Sequence, residues 1–214
     1  FFDKSKKVSG VGLFWNKSIK KEKVNYRYEF RVSNNFGYDK GFVNGKLYTS
    51  SSYSITPSAK FNYEITDKIT FAPSYNFRKD FVSYSNYTID KTSFYSHKMN
   101  LQITSYWPKN WTFGNDFGYN FNSNLGAGFK KDFYLWNTSL AYSFYKDKFL
   151  AKVKVYDILN QNQSNKRTIS ETSITDEENI VLKRYVMFSL TYKIHMFDSK
   201  AKEKKGGTPF RVIQ

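Results

Sequence analysis

Residues 111–121 place a large ring at nearly every second position: Trp111, Phe113, Phe117, Tyr119 and Phe121, with Thr112, Gly114, Asp116, Gly118 and Asn120 between them. Side chains along a β-strand point to opposite faces with period two, so this segment has one aromatic face and one small, polar face. A soluble sandwich could bury such a ring face in its core. Here, however, the pattern recurs along the whole chain, and the opposite face carries Asn, Asp, Lys, Ser, Thr and Gly with few aliphatics. A transmembrane β-strand reads this way, apolar toward lipid and polar toward the lumen. The expected fold class is all-β, an antiparallel transmembrane β-barrel segment.

Composition supports that expectation. The 214 residues include 21 Phe, 18 Tyr and 4 Trp, so aromatics make up 20% of the chain. Leu, Ile and Val, which dominate water-soluble cores, are comparatively scarce, whereas aromatics gather at membrane interfaces and on outward barrel positions. No segment approaches the roughly 18 continuous apolar residues of a spanning helix, which excludes a helical membrane protein. With no cysteine, thiol chemistry and disulfides are excluded. The formal charge is +16. The basic residues are spread over turns and strands with no RRM, KH or zinc motif, so no nucleic-acid partner is expected. They fit a basic lumen, or loops that attract anionic solutes or lipid headgroups.

Alternation marks nine spanning strands, over 8–15, 24–36, 53–64, 69–77, 94–106, 111–121, 133–145, 149–155 and 181–194. Pro57 and Pro73 fall inside two of them, and each requires a bulge or a gap in the ladder. Residues 34–52 read as a long loop or hairpin extension, 80–92 as a loop, and 157–179 as the longest polar interruption. The connections sort into two kinds in strict alternation. Those near 17–23, 66–68, 107–110 and 146–148 are short, and those near 37–52, 80–92, 122–131 and 157–180 are longer. Outer-membrane barrels show this asymmetry, with short periplasmic turns and longer extracellular loops.

Nine is odd, while single-chain bacterial barrels have an even strand count and hydrocarbon does not tolerate open edges. Residues 1–194 are therefore expected to be the C-terminal portion of a larger barrel, its other strands supplied by upstream sequence or another chain. Residues 195–214 are expected to be a Lys-rich periplasmic tail. The opening at Phe1, with neither Met nor signal segment, fits a mature, truncated or partial chain.

Alternation assigns Arg27, Arg31, Arg78, Lys98, Lys152, Lys154, Lys183 and Lys193 to the polar faces. There they are expected to line the lumen, neutralising acids of a plug or drawing anionic solutes inward. Tyr106, Trp111, Trp136, Tyr142 and Tyr192 are expected at the membrane interface or against lipid. His97 and His195 share no spacing with acidic ligands, so no metal site is expected. Asp157, Glu171, Asp176, Glu177 and Glu178 make an acidic stretch that is solvated or binds a cation. No Ser-His-Asp arrangement, P-loop or dinucleotide fingerprint is present, so neither catalysis nor a cofactor is expected.

The segment Phe149-Leu150-Ala151-Lys152-Val153-Lys154-Val155-Tyr156-Asp157-Ile158-Leu159-Asn160-Gln161-Asn162 resembles the penultimate barrel strand of TonB-dependent receptor-like outer-membrane proteins of Bacteroidota. Ile180-Val181-Leu182-Lys183-Arg184-Tyr185-Val186-Met187-Phe188-Ser189-Leu190-Thr191-Tyr192-Lys193-Ile194 is similar to their closing strand. The resemblance is strongest over 149–194 and diffuse over 24–148. It implies an upstream plug domain, the TonB energy-transducing system as partner, outer-membrane location, and solute uptake as function. Related barrels serve instead as structural components of secretion or surface-assembly complexes, with periplasmic or surface protein partners.

Overall fold

The structure, a computed structural model, describes residues 5–43, 45–65, 68–85, 91–169 and 173–193. The tail at 195–214, His195, Glu171 and the turn residues 66–67 lie outside them. Nine strands form one antiparallel sheet in chain order: β1 (Ser5–Lys20), β2 (Val24–Val43), β3 (Lys46–Ile65), β4 (Ile69–Tyr84), β5 (Lys91–Ser105), β6 (Trp111–Asn122), β7 (Asp132–Phe144), β8 (Phe149–Tyr156) and β11 (Tyr185–Tyr192). Between β8 and β11 the chain makes a separate two-stranded hairpin, β9 (Ser164–Ile169) with β10 (Ile174–Asn179).

The nine spanning strands expected from alternation are thus present, with different bounds. Of the two readings of residues 34–52 the hairpin extension holds, because β2 and β3 stay paired from Val24↔Ile65 to Val43↔Lys46. Each of these strands has 20 residues, about 65 Å at ~3.3 Å per residue, whereas a tilted strand crosses a membrane in about 9–11 residues. The ring alternation fades beyond Phe36 and Tyr53 because the remaining part of the hairpin extends past the apolar band, where water selects no face. The expected loop 80–92 is likewise shortened, since β4 runs on to Tyr84 and β5 starts at Lys91. The prolines are accommodated by gaps. The β3–β4 ladder keeps one register but lapses between Ile55 and Ser58 and between Lys60 and Tyr63. The first lapse contains Pro57, and the second faces Pro73, so the missing amides leave no slipped strand.

Antiparallel partners share a face, so the register shows whether the ring faces of successive strands coincide. They do. One row reads Tyr26, Tyr63, Phe71, Ile103, Asn115, Thr138, Val155 and Val186 from β2 to β11. It begins beside the short turn of β2 and ends beside the long connection into β11. The strands are therefore progressively staggered, as tilted barrel strands must be. Ring pairs bridge neighbouring strands along this face, among them Phe36 with Tyr53 at 4.9 Å, Trp111 with Tyr142 at 4.7 Å and Phe149 with Tyr192 at 4.7 Å. Each such cross-strand pair contributes about 0.2–1 kcal/mol relative to alanines.

This face has no cover. Leu13 is 73% exposed, Trp15 52%, Phe188 76% and Leu190 68%. The described buried hydrophobic residues are only Tyr48, Tyr84, Leu125 and Ala141, far too few to form a soluble core. No helix among the described residues is long and apolar enough to cross a membrane. Contiguous apolar surface on this scale marks contact with lipid or another apolar body.

Candidate functional site

The opposite face is concave and polar. Arg27 on β2, Lys60 on β3, Ser74 on β4, Lys98 on β5, Asp116 on β6 and Asn137 on β7 line one hollow of about 670 Å³. Their convergence from six consecutive strands shows that the sheet curls around its polar side. Asn162, from the connection after β8, borders the same hollow.

Six of the eight expected luminal cations lie on strands of this face: Arg27, Arg31, Arg78, Lys98, Lys152 and Lys154. Only Arg27 and Lys98 line the hollow itself. Arg27 donates Nε to Ser18 Oγ at 3.2 Å and stands 3.8 Å from Glu29, an exposed contact that contributes little. Arg31 reaches the Phe14 ring at 5.1 Å. Arg78 grips Asp80 through Nε and Nη2 at 2.7–3.0 Å, so its charge is committed to a nearly buried carboxylate beside the buried Ser54. Lys183 takes no place on the ladder, contrary to the expected last strand, because β11 starts two residues later at Tyr185. Lys193 follows β11, and its amide donates to the Lys148 carbonyl at 2.9 Å.

Four of the five expected interfacial rings lie on the bare face. Trp111 and Tyr142 pair beside the short-turn end, Tyr192 lies tilted against Phe149 there, and Trp136 sits opposite Phe117 farther along. Trp136 Nε1 donates to Asn115 Oδ1 at 3.1 Å, which satisfies its polar edge on an apolar surface. Tyr106 is one residue past β5, and its amide donates to the Lys68 carbonyl. His97 also belongs to the ring face, with Nδ1 2.6 Å from the Tyr75 hydroxyl and Phe77, Tyr95 and Phe121 around it.

The acidic stretch does not converge. Asp157, 2% exposed, accepts the Gln161 and Asn162 amides on its two oxygens, both at 2.9 Å. Asp176 is held by Arg167 Nε and Nη2 at 2.6 Å each. The Arg167 hydrogen bond holds the Asp176 carboxyl below the usual carboxylate range. Glu177 and Glu178 are exposed on β10. Among the described residues no three His, Asp or Glu side chains gather into a metal-binding group.

The β9–β10 hairpin was not legible in the sequence, nor was its position. Tyr84 on the polar face of β4 donates its hydroxyl to the Ile169 carbonyl at 3.5 Å, and Asn124 Nδ2 donates to the Arg167 carbonyl at 3.1 Å. Gly126 lies against the Arg167 guanidinium, in space that a Cβ would occupy. The excursion that leaves β8 thus reaches across to β4, over the polar side at the long-connection end. A faint signal existed: Arg167 and Asp176 of opposite charge, flanked by Thr168–Ile169 and Ile174–Thr175, would meet if the chain folded back between them.

Residues 16–192 match the family model described as outer membrane protein beta-barrel family. The chain belongs to that outer-membrane β-barrel family. The matched span runs from within β1 to the end of β11 and takes in the other eight strands of the sheet whole. Among curated proteins none matches the chain. An outer-membrane location follows for this barrel protein, so the bare ring face is the lipid-facing wall.

Proposed function

We propose that this barrel wall takes part in solute uptake across the outer membrane, as a TonB-dependent receptor-like protein of Bacteroidota type without enzymatic activity of its own. The observation that carries the proposal is the polar hollow, which sets Arg27, Lys60 and Lys98 among amides and two acids, Glu29 and Asp116. Fixed cations in a curved, water-facing surface raise the local concentration of anions and favour their entry. The residues act by charge and hydrogen bonding, with no bond made or broken. Outer-membrane lipid covers the ring face, a plug domain and further strands complete the barrel, and the TonB system supplies the work of opening.

Because the chain has no cysteine, single-cysteine variants test this cleanly. Lys98→Cys is expected to react with a membrane-impermeant thiol reagent from water, and Phe188→Cys to be protected by lipid. Joint replacement of Arg27, Lys60 and Lys98 by Gln is expected to slow uptake of anionic solutes several-fold at low salt while neutral solutes pass unchanged. Equal uptake of both by variant and parent would sink the electrostatic role.

A structural role in a secretion or surface-assembly complex is favoured by a different observation. The β2–β3 hairpin continues past the ring band to Val43 and Lys46, offering a long paired ribbon to a partner outside the membrane. Removing the tip of that hairpin separates the two readings. Uptake survives the deletion under the first, and assembly fails under the second.

A further inference from the structure

Lys154 is the one buried lysine among the described residues, at 7% exposed. Its Nζ lies 4.4 Å over the Tyr156 ring, which stacks on Tyr185 of β11 at 4.6 Å and 12°. Across the ladder it faces Ser139 on one side and Met187 on the other. Among the described residues its ammonium meets no carboxylate. Asp157, the nearest acid along the chain, spends both oxygens on backbone amides. Lys152 stands two residues away on the same face, between Ala141 and Ser189, also without an ion pair among the described residues. Asp116 on β6 acts electrostatically on Lys152 across the same face.

A buried ammonium without a counter-charge is unfavourable, and a second lysine on the same face adds repulsion. The Tyr156 ring offsets part of this through its negative face. The Lys154 ammonium and the neighbouring Lys152 thus gather beside the Tyr156 and Tyr185 rings, and among the described residues Lys154 has no carboxylate partner. We propose that Lys154 and Lys152, framed by Tyr156 and Tyr185, form a binding site for an oxyanion, a carboxylate or phosphate group. Its source is a solute in the lumen or an acidic side chain of a polypeptide segment lodged there. The proposal rests on the polar face being the wet one, and it names where on that face an anion is held.

The test uses the whole protein in lipid nanodiscs with its lysines labelled with ¹⁵N, observed through ammonium resonances and titrated with inorganic phosphate against chloride at equal ionic strength. A solute site gives a saturable shift of the Lys154 signal, identified by its loss in Lys154→Met. Phosphate affinity read from the Lys152 signal then falls at least tenfold in Lys154→Met and is largely kept in Lys154→Arg, which retains the charge and controls for folding. A polypeptide source leaves phosphate silent. It gives instead a carbodiimide-induced amide between Lys154 Nζ and an Asp or Glu carboxyl, found by mass spectrometry and absent in Lys154→Met. Neither shift nor cross-link overturns the site while Lys98→Cys still labels from water. Failure of Lys98→Cys to label overturns the wet-face reading and the site together.

Discussion

At the scale of single residues, the two faces of the sheet make opposite demands, and substitutions should separate them. Phe188 is 76% exposed on the lipid-facing wall, midway along β11. An arginine there is expected to destabilise the folded barrel by about 2–4 kcal/mol, the depth-dependent cost of a cation facing hydrocarbon. Thr191, on the polar face of the same strand opposite Leu150, is exposed and is expected to accept Arg within about 0.5 kcal/mol. Reversible unfolding by denaturant in lipid vesicles measures both, and equal costs would remove the face assignment. Asp157→Ala is a different kind of lesion. It strips the acceptors from the Gln161 and Asn162 amides at a 2%-exposed position, at an expected cost of about 1–3 kcal/mol. The same unfolding assay reads it.

Among the elements, the β9–β10 hairpin is the one whose stability can be switched without touching the membrane. Its Arg167–Asp176 pair lowers the folded-state carboxyl below the ordinary value of 3.8. The contribution of the pair is therefore fully present above the unfolded value and is lost as pH falls through the lower, folded one. Carboxyl NMR of Asp176 is expected to titrate below the ordinary aspartate range. Protease cleavage within 163–180 is expected to rise only as that range is passed. A midpoint at or above 3.8 would show that the pair is not formed. Gly126→Val is expected to expose the hairpin at neutral pH, because its side chain would occupy the space of the Arg167 guanidinium. The hairpin also shows where sequence reading stops. Lipid imposes a period-two ring pattern, so strands such as Trp111–Asn122 and Asp132–Phe144 were legible almost to the residue. Outside the bilayer no such selection operates. The outer halves of β2 and β3 were legible only as a possible extension, and β9 and β10, polar on both faces, not at all. Lys183 was misplaced for a related reason, since Leu182 extends the alternation of β11 upstream of Tyr185, where the ladder begins. The polar face was legible as a face, but the grip of Arg78 on Asp80 and the seat of Lys154 over Tyr156 depend on side-chain rotamers that alternation does not encode.

For the whole molecule, strand direction constrains how the barrel closes. Starting from the short turn after Lys20, alternate strands run outward and inward. β1 and β11 therefore both run toward the short-turn end, and they form the two edges of the sheet. Joining those edges directly would create a parallel pair among antiparallel ones. Leaving them open in hydrocarbon would expose rows of unsatisfied amides and carbonyls at several kcal/mol per group. An odd number of further strands between them restores antiparallel pairing throughout, and an even total is what bacterial barrels possess. The length of β1 sharpens the expectation. Its Ser5–Lys20 ladder with β2 is continuous over 16 residues, so the strand that covers its free edge must be outward-running and comparably long. Density for the intact protein in lipid is therefore expected to show such a strand hydrogen-bonded along 5–20. A cysteine placed in it opposite Trp15→Cys should form a disulfide only in the folded assembly. A closed nine-stranded ring with β1 against β11 would refute the direction argument.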